Sequence, residues 1–176
     1  MHKDKPRNGV FMLYGCSYAE NKAADGMGMQ WGVGYQQAIC KDRLRWVPSL
    51  TFGKYSSKGI DDAPHAYFNT ISLKNNLSLD VVKISAFSLV MGTGLTLNYS
   101  YGLSGPAVDH IQIESSGGYF SNFNVAVNVS MGFRFQPIGK KISYEFYIFD
   151  ASLPNGDSFA EVAVAQFSLI LNLNGN

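Results

Sequence analysis

The side chains of this sequence that could do chemistry are few and scattered. His2, His65 and His110 lie far apart, and Cys16 and Cys40 sit near none of them. A zinc site needs about four nitrogen or sulfur ligands in clustered pairs, and two cysteines make no disulfide framework. A Ser–His nucleophile needs an imidazole within hydrogen-bond reach, yet all three histidines fall in the tail or in loops. His65 beside Asp61 and Asp62, or the pair Asp109-His110, has the chemistry to hold a metal at a loop; ordinary exposed loop residues are the expectation. No catalytic residue, metal ligand or cofactor is therefore assigned, and the chain is read as not an enzyme. Asn76-Leu77-Ser78, Asn98-Tyr99-Ser100 and Asn128-Val129-Ser130 match the glycosylation acceptor pattern, but they fall on strand faces and are read as chance.

The remaining candidates are charges on strands: Arg43, Arg45, Asp80, Arg134 and Glu145. What positions them is a period of two, the mark of a strand with two unlike faces. From Phe123 to Gln136, one face reads Phe123, Val125, Val127, Val129, Met131, Phe133, Phe135, and the other reads Asn124, Ala126, Asn128, Ser130, Gly132, Arg134, Gln136. Phe87 to Tyr101 and Gln166 to Leu173 repeat the pattern, and weaker versions fill the rest. Eight strands follow, roughly 9–19, 27–40, 43–55, 66–82, 86–102, 121–136, 142–153 and 159–173. Short connections alternate with mostly longer ones, which predicts an up-and-down meander. So much strand, against a base rate of about 20–25%, is credible only in a closed barrel or a sandwich.

The direction of the apolar face decides the class. A soluble lipocalin-like carrier turns it inward and is normally dense in Lys, Glu and Asp outside. Here charged residues are only 15% of the chain, against about 25% in an ordinary soluble domain. The polar face is Gly, Ser, Asn, Thr and Gln, residues small enough for the narrow interior of eight strands. Rows of Phe, Tyr, Trp, Leu and Val would overfill that interior. Turned outward, they make a lipid-facing band with aromatic girdles. The expected fold is an all-β, eight-stranded antiparallel up-and-down transmembrane β-barrel over residues 9–176, after an N-terminal tail at residues 1–8. Tyr18, Trp31, Trp46, Phe87, Tyr99, Phe123, Phe133 and Tyr144 are its expected lipid-facing aromatics.

Such barrels put short turns in the periplasm and long loops outside, so the tail is read as periplasmic. The outward loops and their rims hold Glu20, Asp25, Asp61, Asp62, Asp109, Glu114 and Asp157 against Lys22 and Lys58. The other side is basic, with Lys3, Lys5, Arg7, Lys41, Arg43, Lys83, Lys140 and Lys141 opposed by Asp4 and Asp42. In the lumen, Arg43, Arg45, Asp80, Arg134 and Glu145 fall near the periplasmic strand ends with both signs at similar depth. Charges withdrawn from water need partners, so a structural ion-pair network is expected there. Eight strands leave little open bore, and no pore is predicted. Lumen glycines at 32, 34, 53, 92, 94 and 132 are expected to relieve crowding.

Three stretches resemble small outer-membrane β-barrel proteins of Bacteroidota-type Gram-negative bacteria: residues 43–57 (RLRWVPSLTFGKYSS), residues 67–103 (YFNTISLKNNLSLDVVKISAFSLVMGTGLTLNYSYGL) and residues 119–135 (YFSNFNVAVNVSMGFRF). The resemblance spans roughly residues 27–173 and is compositional. It implies a bacterial outer-membrane location, contact with outer-membrane lipid and lipopolysaccharide, and other outer-membrane proteins as partners in a complex. Such proteins usually end in an aromatic, whereas this chain ends Leu173-Asn174-Gly175-Asn176. Some barrels of this kind modify lipid A. Ser121-Asn122 is faintly similar to a deacylase motif, but Tyr119-Phe120 stand where its histidine belongs.

The balance of 14 Lys and Arg against 13 Asp and Glu gives no support to nucleic-acid binding. No run of about 18 apolar residues makes a transmembrane helix. The polar start MHKDKPRNG lacks a signal's apolar core, so a removed signal peptide is expected. The functional expectation is an integral outer-membrane barrel with a structural or interaction role, its loop at 103–120 the leading contact surface. A soluble ligand-binding barrel and a lipid A-modifying enzyme are the alternatives.

Overall fold

The structure is a computed structural model describing residues 8–20, 25–40, 43–57, 66–103, 108–109, 112–113, 118–137, 139–154 and 160–173. Its elements are all strands: β1 (Gly9–Glu20), β2 (Asp25–Cys40), β3 (Leu44–Ser57), β4 (Ala66–Ile84), β5 (Phe87–Leu103), the two-residue β6 (Val108–Asp109) and β7 (Gln112–Ile113), β8 (Tyr119–Phe135), β9 (Ile142–Pro154) and β10 (Ala160–Asn172). Eight of them close a barrel in the order β1-β10-β9-β8-β5-β4-β3-β2, while β6 and β7 pair with each other in the β5–β8 connection. All neighbours are antiparallel, and the β1–β10 pair seals the sheet from Gly9↔Asn172 to Glu20↔Ala160. Closure leaves the barrel sheet no unpaired edge, as an apolar solvent requires.

The alternation read from the sequence becomes an inside and an outside. In β1 buried and exposed residues alternate without a break. Met12, Met27, Trp31, Phe87, Leu95, Phe123 and Phe167 stand exposed around the outer wall, while Ser72, Thr96, Asn98, Asn128 and Ser152 are fully buried within it. A soluble carrier has the opposite sense. This exterior is a continuous apolar surface far beyond the few hundred Å² that a soluble monomer exposes, and it is stable facing hydrocarbon. The fold is therefore a transmembrane β-barrel. All eight aromatics expected on the lipid face point outward, from Tyr18 and Tyr144 at 37% exposure to Phe123 at 63%.

Bulges interrupt the period. The β1–β10 register slips between Tyr14 and Cys16, where Ala165 takes a positive φ of 58°. Others fall at Asp80/Val82 of β4 and Met131/Gly132 of β8, opposite Phe149 and Tyr147. One extra residue reverses which parity faces inward. In β9 the buried set runs Ser143 and Glu145, then switches to Asp150 and Ser152. In β10 it switches from Glu161 and Ala163 to Gln166, Ser168, Ile170 and Asn172.

Candidate functional site: the closed lumen

Two rims bound the lumen, a turn end (near Gly9, Phe87 and Asn172) and a loop end (near Glu20, Ser57 and Leu103). Three layers of polar side chains fill the space between. At the turn end, the Arg134 guanidinium donates through Nε to Glu145 Oε1 and through Nη1 to Asp80 Oδ1. Arg45 Nη2 lies 3.7 Å from Asp80 Oδ2, with both side chains fully buried. Tyr147 donates its hydroxyl to Glu145 Oε2 at 2.8 Å. Both acids thus face cations from neighbouring strands, the condition for holding charge out of water. The expected network of Arg45, Asp80, Arg134 and Glu145 is assembled here. Arg43 does not belong to it. It sits in the β2–β3 turn, exposed, because β3 begins one residue later; its backbone caps the turn, its N–H bonding Cys40 O and its carbonyl accepting from Asp80 N.

The middle layer centres on Lys74, whose Nζ lies 3.2 Å from Asp150 Oδ2. Asn128 donates to Asp150 Oδ1 at 2.5 Å and accepts from Asn76 Nδ2 at 2.8 Å. Ser152 bonds Thr96 at 3.3 Å and Ser72 bonds Asn98 at 2.7 Å. The three acceptor-pattern asparagines therefore line the lumen, where no glycosyl group fits.

At the loop end the chemistry changes. Tyr55 donates its hydroxyl to Glu161 Oε1 and accepts from Ser17 Oγ at 2.8 Å. Gln30 Nε2 reaches the same Glu161 oxygen at 3.0 Å. The Tyr55 ring stacks on Phe68 with centroids 5.0 Å apart, and Phe120 tilts against Phe68 at 6.1 Å. Ala19 completes this cluster. Gly53 makes room for it: a Cβ there would stand 2.4 Å from the Tyr55 ring. A second apolar cluster of Phe11, Leu13 and Ile170, with Val47 against it, sits nearer the turn end. Its Phe11 ring lies where a Cβ on Gly34 would come within 2.3 Å.

Lys74, Asp150, Glu161 and Tyr55 were not singled out from the sequence. Lys74 shares the parity of Asp80 in β4 and was legible on that signal. Asp150 and Glu161 lie beyond bulges, where a parity carried straight along the strand points them outward. A small space between the turn-end and middle layers measures about 30 Å³, lined by Asn76, Ser78, Glu145 and Asp150 among others. Among the described residues no group of three or more His, Cys, Asp and Glu could hold a metal, and Cys16 and Cys40 are free and exposed. His2, His65, His110, Asp61, Asp62, Glu114, Asp157, Lys22 and Lys58 lie outside the described residues, as do Lys3, Lys5, Arg7, Lys41, Asp4 and Asp42.

Fold and polar-lined lumen together define an eight-stranded membrane-type barrel. Solved structures share that architecture. Neisserial surface protein A is similar over 94% of this chain and 97% of its own, with a TM-score of 0.66 at 12% identity. Ail, the attachment invasion locus protein of Yersinia pestis, is similar over 96% of this chain and 97% of its own, with a TM-score of 0.58 at 10% identity. Its complex with the heparin analogue sucrose octasulfate gives a TM-score of 0.53 at 12% identity over the same shares. At these identities the likeness is one of fold. No family model matches the chain, and no curated protein matches it.

Proposed function

We propose that the chain is an integral protein of a bacterial outer membrane, a sealed barrel with a structural or interaction role. The observation that carries this is the lumen: Arg45, Arg134, Lys74, Asp80 and Glu161 are all at most 1% exposed inside a wall whose outer side chains are apolar. A channel keeps its charged lumen wet, whereas an anchor cross-links it. The stretches 43–57, 67–103 and 119–135 support a Bacteroidota-type barrel. The turn end, with the N-terminus, is periplasmic in this reading, since such barrels keep short turns on that side.

The loop end then faces outward and is the contact surface, centred on the loop at 103–120. Lipopolysaccharide and other outer-membrane proteins are the proposed partners, with the acidic rim (Glu20 and Asp25 among the described residues) bridging lipid phosphates through divalent cations. The named neighbours, a surface protein and an attachment protein, fit such a role. The test is conductance. Purified protein inserted into a planar bilayer is expected to give no steady unitary current at any applied voltage. A stable ohmic conductance would overturn the sealed-anchor reading.

A further inference from the structure

The outer wall is not evenly convex. An apolar hollow of about 800 Å³ opens on it, crossing β4, β3, β2, β1, β10 and β9. The ladder shows its course. One bank is a row of cross-strand partners in which Leu73 pairs Leu50, Leu50 pairs Val33, Val33 pairs Met12 and Met12 pairs Leu169. The next row forms the other bank: Tyr35 pairs Val10, Val10 pairs Leu171 and Leu171 pairs Ile142. All these side chains point away from the lumen.

The floor is shaped by the wall itself. The β2–β3 pairing runs to Gly34↔Ser49 and resumes only at Gln37↔Trp46. Pro48 stands in that gap, unable to donate a ladder hydrogen bond. Beside it Gly34 is pressed so close that a Cβ would meet Pro48 O at 2.7 Å.

The furrow also has a length and a slope. Five strand-to-strand steps of about 4.8 Å make about 24 Å. Rows run perpendicular to strands tilted by about 40°, so the furrow drops by about 15 Å, half of a ~30 Å hydrocarbon core. Its lower end is Ile142, the first residue of β9, directly after the exposed Lys140 and Lys141. A one-leaflet apolar groove continuous with the lipid-facing band thus ends at two cations.

We propose that this furrow is a specific site for one anionic glycerophospholipid of the turn-end leaflet, an acyl chain along the groove and the headgroup phosphate on Lys140 and Lys141. The proposal rests on the membrane-spanning reading and adds a bound ligand to it. Where every outer residue touches fluid lipid, this site holds one molecule with a longer residence.

The experiment is native mass spectrometry of the full chain released from vesicles of equimolar phosphatidylglycerol and phosphatidylcholine, after flotation has established insertion. Wild type is expected to retain one phosphatidylglycerol in preference to phosphatidylcholine by about tenfold, from two lysines near the headgroup plane. K140Q/K141Q is expected to bring that preference close to unity. V33W, which fills the groove, is expected to cut total lipid retention by about tenfold while keeping heat-modifiable barrel migration. Wild type that floats but carries no lipid, or carries both lipids as its variants do, overturns the site and leaves the membrane reading standing. Failure to float overturns both. Should V33W not fold, the turn variant K140Q/K141Q decides alone.

Discussion

At the turn end of the lumen, Arg134 is clasped between Asp80 and Glu145, with Arg45 beyond and Tyr147 behind. At the loop end, a single carboxylate, Glu161, takes its hydrogen bonds from neutral donors, Tyr55 and Gln30, under stacked rings. The two ends fill a narrow bore by different means. Ion pairing is strong but leaves charge behind when one partner is lost. A ring carrying a hydroxyl fills volume and donates one hydrogen bond, so its loss costs less.

The difference can be broken from either side. Largest should be R134M, which takes the cation from Glu145 and leaves Asp80 with Arg45 alone. It is expected to lower stability by about 3–5 kcal/mol, read from the urea midpoint of barrel folded into vesicles. Y55F keeps the ring and removes the donor to Glu161; the expected loss is about 1–3 kcal/mol by the same assay. An effect of Y55F as large as that of R134M would erase the contrast between the ends. R134M and Y55F share no partner, so the double variant is expected to equal the sum of the two within about 0.5 kcal/mol. A larger coupling would mean that the middle layer of Lys74 and Asp150 transmits between them. Smallest is A165G at the β10 bulge. Ala165 holds a left-handed backbone that glycine adopts freely, and the change is expected to stabilise by about 1 kcal/mol.

Legibility in the sequence also differs between the ends. All eight barrel strands were readable, because an apolar face against a Gly, Ser, Asn face is a period that survives any tilt or shear. Arg45, Asp80, Arg134 and Glu145 were readable as a group because each lies close to a strand end with its parity undisturbed. Arg43 was misplaced by one residue at a turn, where the strand had not yet begun. The acids of the loop-end and middle layers were hidden for a different reason. Glu161 lies past the Ala165 bulge and Asp150 past the one opposite Met131 and Gly132. A bulge adds a residue without changing composition, so the sequence carries no sign of where parity flips. Tyr55 was hidden by its type, an aromatic that suits the girdle as well as the lumen. Its parity, shared with Arg45, Ser49 and Thr51, turns it inward, and Gly53 makes the room.

The protein carries its own probes of whether the apolar face meets hydrocarbon. Both tryptophans point outward, Trp31 at 54% exposure and Trp46 at 38%. The direct measurement is intrinsic tryptophan emission of unmodified protein folded into vesicles whose acyl chains carry bromine. Strong quenching by the brominated chains and little by iodide in the surrounding buffer is expected. Emission that ignores the bromine and is quenched by iodide would contradict it.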